Sequence, residues 1–112
     1  MPRRPRVTPG SLSTGEKPAA AKSTWTFLSN HAHVLLLLAR DPESVMRDIA
    51  NRIGITERAV QRIIADLEQE GYISKEKDGR RNRYTVDESR PLRHPIESHR
   101  SVASIISLIH KP

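Results

Sequence analysis

The sequence predicts a mainly α-helical fold that carries one small β-hairpin. Three observations support this fold class. Apolar residues recur at helical spacing in four segments, glycines and prolines end those segments, and one pair of segments alternates as strands do. The chain has 112 residues, 36% of them hydrophobic, which fits one domain. It contains no cysteine, so disulfides, thiolate zinc sites and cysteine nucleophiles are excluded.

The first helix is predicted over residues 25–40, with Ser23 and Thr24 as capping residues. Its second half is apolar on nearly every side, which is typical of a helix that is buried on more than one face. The helix should end at Asp41, because the following Pro42 disfavours helical backbone in the residue before it.

Two further helices are predicted on either side of a glycine turn. Ser44 should cap a helix over 45–53, and Gly54 should end it in the left-handed conformation. Thr56 should cap a third helix over 57–70. The apolar stripe of this third helix consists of Val60, Ile63, Ile64 and Leu67. Its opposite face carries Arg58, Gln61, Arg62 and Ala65.

A β-hairpin and a last helix complete the prediction. The strands should cover 72–78 and 83–86, with a tip formed by residues 79–82. Pro95 suits the first position of the last helix. One face of that helix should hold His99, Val102, Ala103 and Ile106, with Ile105 and Ile109 nearby.

The net charge of +6 and the sequence pI near 10.3 favour a polyanionic partner, most often nucleic acid. Residues 1–22 hold five basic residues against one acidic residue, and four of the eight prolines. This composition predicts a disordered basic arm, which either neutralises phosphates or only improves solubility. Residues 75–83 hold five basic residues against two acidic ones, a local charge of +3.

Seven positions resemble the helix–turn–helix signature: Ile49, Ala50, Ile53, Gly54, Ile55, Val60 and Ile63. They are followed by Gly71-Tyr72-Ile73 and by a basic hairpin over 79–84. The span 25–86 is similar to the winged helix–turn–helix domain of MarR-type bacterial transcriptional regulators. The resemblance implies a three-helix core with a wing over 23–88, followed by a C-terminal segment over 89–112 whose helix forms a dimer.

The resemblance also implies that a homodimer binds double-stranded DNA, with helix 57–70 in the major groove and the wing 75–84 on the flanking backbone or minor groove. The candidate DNA-binding residues are Thr56, Arg58, Gln61, Arg62, Lys75, Lys77, Arg80, Arg81, Asn82 and Arg83. Arginine can bond guanine edges, glutamine can bond adenine, and a helix start can bind phosphate. Alternatively, these charges only solvate an exposed face, and Arg62 pairs with Asp66.

The apolar first and last helices predict a dimer interface formed by Leu28, Leu35, Val102, Ile105, Ile106 and Ile109. Alternatively, both helices complete the core of one protomer. MarR-type proteins typically carry longer helical arms that frame a ligand pocket, and little follows the wing here. A regulator with a small-molecule effector, a minimal repressor and a repressor tuned by a partner protein are therefore alternatives.

Other classes of function find little support. His31 and His33 are two residues apart, whereas a helical metal pair needs a spacing of three or four. We therefore expect no metal, no cofactor and no enzymatic activity. The longest apolar run has six residues, and the N-terminus lacks a signal sequence, so we expect a cytoplasmic protein that does not enter membranes. The alternative function is a winged-helix module for protein contact or RNA binding in a larger assembly.

Overall fold

The computed structural model of the protein describes residues 25–111. The predicted basic arm at 1–22 and the capping residues Ser23 and Thr24 lie outside this part of the chain. The described elements are, in chain order, α1 (Asn30–Arg40), α2 (Met46–Ile53), α3 (Glu57–Gln69), β1 (Ile73–Asp78), β2 (Arg81–Val86) and α4 (Val102–His110). The predicted fold class, helices with one small β-hairpin, is confirmed.

Helix α1 begins five residues later than predicted. The hydroxyl of Ser29 accepts a hydrogen bond from the Ala32 N–H (3.2 Å) and caps the helix at Asn30. The hydroxyl of Thr26 donates to the Leu28 carbonyl, a local bond that competes with helical backbone. The start predicted at Trp25 is therefore wrong, because a local side-chain bond and a later cap define the boundary.

The turn between α2 and α3 agrees with the prediction, whereas the start of α2 does not. Gly54 has a left-handed backbone (φ 88°), and its N–H donates to the Ala50 carbonyl at 2.8 Å. Val45, and not Ser44, occupies the N-cap position of α2. The hydroxyl of Ser44 instead donates to the Asp41 carbonyl (2.9 Å), so it fixes the preceding loop.

The core lies between the helices and the base of the hairpin. It consists of Val34, Leu35, Leu36, Leu38, Ile49, Ala50, Val60, Ile63, Ile64, Leu67, Tyr72, Ile73, Tyr84, Val102 and Ile106. All four apolar positions predicted for the buried stripe of α3 belong to it. Because this stripe faces the core, the opposite face of α3 faces solvent.

The hairpin is an antiparallel pair whose register runs from Ile73 opposite Val86 to Asp78 opposite Arg81. β2 is therefore two residues longer than predicted, and the tip shrinks from four residues to Gly79 and the residue after it. Gly79 has a positive φ of 66°, which a two-residue hairpin turn requires and which glycine adopts without strain.

The loop between α1 and α2 contacts the free edge of β2. The N–H of Tyr84 donates to the carbonyl of Pro42 at 3.0 Å. A backbone bond of this kind fixes the position of the hairpin relative to the helices, because it joins two elements that are distant in sequence.

The last helix starts seven residues after Pro95, so the predicted start at Pro95 is wrong. Pro91 and Ser101 form an antiparallel bridge, and the Val102 N–H donates to the Arg90 carbonyl at 2.8 Å. The chain thus doubles back over 91–101 before α4 begins, and His99 is exposed rather than part of a helix face.

Helix α4 packs against α1 of the same protomer through Val102 and Ile106. Near its end, Nε2 of His110 lies 2.8 Å from the carbonyl oxygen of Leu36. The longest helix among residues 25–111 has thirteen residues. No helix in this part of the chain is both long enough and apolar enough to cross a bilayer.

Candidate nucleic-acid interface

The outward face of α3 presents Arg58, Gln61, Arg62 and Ala65, all of them exposed. Within residues 25–111, no ion pair or side-chain hydrogen bond involves the two arginines or the glutamine. The alternative pairing of Arg62 with Asp66 is not made, because Asp66 Oδ2 lies 2.8 Å from Nε2 of His31 on α1. The donors on this face are thus available to a ligand.

Thr56 caps the N-terminal end of α3. Its Oγ1 accepts a hydrogen bond from the Ala59 N–H at 3.0 Å, and its own carbonyl accepts one from Val60 at 3.1 Å. The acceptor function of the hydroxyl is used inside the helix, whereas its O–H remains a donor. Thr56 is therefore a capping residue that also lies where a phosphate would meet the first turn.

Replacing Thr56 with alanine is expected to lower the free energy of unfolding by about 0.5–2 kcal/mol, because the Ala59 N–H loses its acceptor. Urea denaturation followed by circular dichroism measures this change. Thr56→Ser keeps the hydroxyl and serves as the control. If Thr56→Ser and Thr56→Ala lose equal stability, the capping bond is not the cause.

Two further residues, neither of them among the predicted DNA-binding residues, lie on or beside the exposed face of α3. Arg47 on α2 has its Nε 3.7 Å from Oε2 of Glu57, the first residue of α3, and so brings a positive charge to that helix end. Ala65 lies in the middle of the exposed face, where its small side chain permits close approach of a groove wall. The polar face of α2 is the sequence signal that would have placed Arg47 beside α3.

The basic residues of the hairpin lie on two different faces. Lys75 lies opposite Tyr84 and Lys77 lies opposite Asn82, whereas Arg83 lies opposite Glu76 and Arg81 opposite Asp78. Directly opposite residues share a face of the sheet. The two lysines and Asn82 therefore lie on the same face of the hairpin as Tyr84, which packs into the core. The two arginines of β2 lie on the other face. Arg80 is exposed at the tip.

Both arginines of β2 face an acidic residue. Nη1 of Arg83 donates to Oε2 of Glu43 at 2.8 Å, and Nη1 of Arg81 lies 3.9 Å from Oε1 of the same carboxylate. In contrast, none of the ion pairs within 25–111 involves Lys75 or Lys77. The predicted wing residues thus divide into free lysines and partly neutralised arginines.

At the base of the hairpin, burial raises the pKa of the Tyr84 phenol, and the nearby negative charge of Glu68 raises it further. A hydrogen bond with Asn82 acts in the opposite direction and is the smallest of the three effects. The phenol therefore remains neutral at physiological pH, and Tyr84 acts as a packing residue that connects the hairpin with the core.

The predicted dimer residues are mostly turned inward. Leu35, Val102 and Ile106 are buried in the protomer, Leu28 and Ile105 are half-buried, and Ile109 is 49% exposed. Other large apolar side chains are more exposed and were missing from the predicted set: Trp25, Phe27, Ile96 and Leu108. A second protomer could thus contact Ile109 and these four residues more readily than the three buried ones.

A groove of about 930 Å³ lies beside the C-terminal half of α3. Its walls include Leu28, His31 and Leu35 from the first part of the chain, and Asp66 from α3. Arg58 and Arg62 do not line it. Among residues 25–111, no group of three histidine, aspartate or glutamate side chains is arranged to hold a metal ion.

Three packed helices, a glycine turn between the second and the third, and a basic hairpin attached to the first loop define a winged helix–turn–helix protein. A family model described as the MarR family matches residues 26–83, which is more than half of the 112 residues. The chain therefore belongs to the MarR family, as the sequence resemblance predicted.

Several solved structures are similar to the chain. Lactococcus lactis ZitR in complex with DNA is 25% identical (TM-score 0.48), and the match covers 61% of this chain and 48% of that one. Staphylococcus aureus MepR, a transcription regulator of the multidrug efflux pump MepA, is 22% identical (TM-score 0.47), with 53% and 46% covered. The zinc-dependent regulator AdcR in its Zn(II)-bound state is 25% identical (TM-score 0.47), with 58% and 46% covered.

The chain thus spans about half the length of each of these structures. No curated protein is similar enough to match it.

Proposed function

We propose that this protein is a sequence-specific DNA-binding transcriptional regulator. The observation that carries the proposal is the exposed face of α3, where Arg58, Gln61 and Arg62 have no partner among residues 25–111. Unpaired arginine and glutamine side chains on the second helix of a helix–turn–helix are suited to hydrogen bonding with base edges in the major groove. Membership of a family of transcriptional regulators supports the same conclusion.

The hairpin supplies charge beside this helix. Lys75, Lys77 and Arg80 are exposed and can neutralise phosphates next to the major groove. Contacts of this kind orient the protein on the duplex without reading the sequence, so the wing would contribute affinity and α3 would contribute preference.

A homodimer is part of the proposal, because two copies related by a two-fold axis would read two half-sites about 34–36 Å apart. The exposed apolar residues Phe27, Leu108 and Ile109 would be covered in such a dimer. The protein would act in the cytoplasm, where it reaches bacterial DNA, and as a binding protein it requires no catalytic group.

Binding to DNA should weaken steeply with salt. A selection of bound fragments from genomic DNA, followed by titrations between 50 and 200 mM salt, should give a log–log slope of about −0.9 for each phosphate contacted. The selected fragments should carry paired half-sites about one helical turn apart. A protein that retains no DNA fragment, or whose binding does not respond to salt, would rule the proposal out.

A further inference from the structure

The loop between α1 and α2 holds the second wing strand in two ways. The Pro42 carbonyl accepts the Tyr84 N–H at 3.0 Å, and one residue later the Glu43 carboxylate accepts a hydrogen bond from Arg83 at 2.8 Å. The Glu43 N–H in turn donates to Oδ1 of Asp41 at 3.3 Å. These bonds fix the backbone of Glu43 beside β2, and its carboxylate lies against Arg83.

One carboxylate faces two guanidinium groups here. Its Oε2 lies 2.8 Å from Arg83, and its Oε1 lies 3.9 Å from Arg81. The side chains of Glu43, Arg81 and Arg83 are 36%, 67% and 50% exposed. Ion pairs this accessible to water contribute little to folding stability. The contact therefore does little to stabilise the fold.

The same contact bears directly on a polyanionic ligand. Arg81 and Arg83 share one face of the hairpin, so a phosphate that reaches either guanidinium also approaches the Glu43 carboxylate. Arginine binds carboxylates and phosphates with the same planar set of donors. Glu43 therefore occupies one donor of Arg83 that a phosphate would use, and its negative charge repels a phosphate that approaches either arginine.

We propose that Glu43 is an internal competitor for phosphate, which holds Arg81 and Arg83 in the free protein and lowers the affinity for DNA. This inference rests on the proposed function. It assigns the wing two kinds of basic residue: Lys75 and Lys77, which meet phosphates freely, and the two arginines, which must first exchange a carboxylate. The competitor weakens phosphate binding in general, so it raises the share of binding that depends on α3.

The test compares Glu43→Gln with the wild-type chain in salt titrations on one selected DNA fragment and on a scrambled fragment. At 50 mM salt, the variant should bind both fragments about threefold to tenfold more tightly, because Arg81 and Arg83 no longer exchange a carboxylate for a phosphate and a like-charge repulsion is removed. The advantage should shrink as salt rises, with a log–log slope steeper by about one. Glu97→Gln, which removes the same charge from the connection between β2 and α4, should change neither value.

A second pair of variants tests whether the effect passes through the arginines. In an Arg81→Ala/Arg83→Ala background, Glu43→Gln should increase the affinity clearly less than it does in the wild-type chain, because the groups it releases are gone and only its own repulsion of phosphate remains. Affinity that is unchanged or reduced by Glu43→Gln, or a gain that is undiminished without the arginines, would overturn the inference while leaving DNA binding intact. A wild-type protein that binds no DNA would overturn the proposed function itself, and this inference with it.

Discussion

Alanine at Arg58 or Arg62 is expected to reduce binding to the selected DNA sequence by about 1–3 kcal/mol, a loss of roughly fivefold to more than a hundredfold. Both side chains are exposed and without a partner among residues 25–111, so their removal leaves no buried group unsatisfied. Thermal unfolding should therefore be nearly unchanged. The loss should be largest on the preferred sequence and small on a scrambled one, because base contacts carry the preference.

Titrations of each variant on both fragments, at several salt concentrations, measure the difference between the fragments and the salt slope. Lys75→Ala provides the contrasting case, since loss of a phosphate contact should weaken all DNA about equally and reduce the salt slope by about one. Arg93→Ala is the matched control: its guanidinium lies 3.6 Å from Glu70 beyond the C-terminal end of α3. Equal losses on preferred and scrambled DNA for Arg58 and Arg62 would show that α3 does not read bases.

Much of the fold could be predicted because local signals agreed with packing. The stripe of α3 could be identified because four apolar residues at helical spacing have only one core to face, and all four are buried. Gly54 could be assigned because a left-handed residue after a helix is most easily a glycine, and its φ is 88°.

The boundaries that failed depended on longer-range contacts. Pro95 suits the start of a helix, yet the bridge between Pro91 and Ser101 keeps this part of the chain turned back on itself. The start of α1 was missed because Ser29 is as good a capping residue as Ser23, and the choice between them depends on where the chain meets the core.

Of the candidate site, the sequence supplied the residues and their helix face, but not their partners. Helical spacing places Arg58 and Arg62 on one side of α3 whatever the tertiary fold is. The pairing of Glu43 with Arg83 joins residues 40 positions apart, and that of His31 with Asp66 joins residues 35 apart. No local pattern encodes such contacts, because they arise only once the loop and the helices have packed.

Leu38→Ala is expected to have the largest effect on the protein, a loss of about 2–5 kcal/mol in the free energy of unfolding. Leu38 has no exposed surface and is among the largest fully buried side chains of the core, so its truncation removes packing and leaves a cavity. A small domain has about 5–15 kcal/mol of stability in total, so this variant would lose a large part of it.

The matched control is Leu108→Ala, the same substitution at a side chain that is 77% exposed on α4. In the monomer, where Leu108 faces water, its truncation should cost less than about 0.5 kcal/mol. Urea denaturation at two protein concentrations measures both variants, and a loss for Leu108→Ala that appears only at the higher concentration would assign this residue to the dimer. Because α1 contacts both α2 and α3, the cavity at Leu38 should also loosen the packing of α3. DNA affinity should then fall together with stability in Leu38→Ala, whereas in Arg58→Ala and Arg62→Ala it should fall alone.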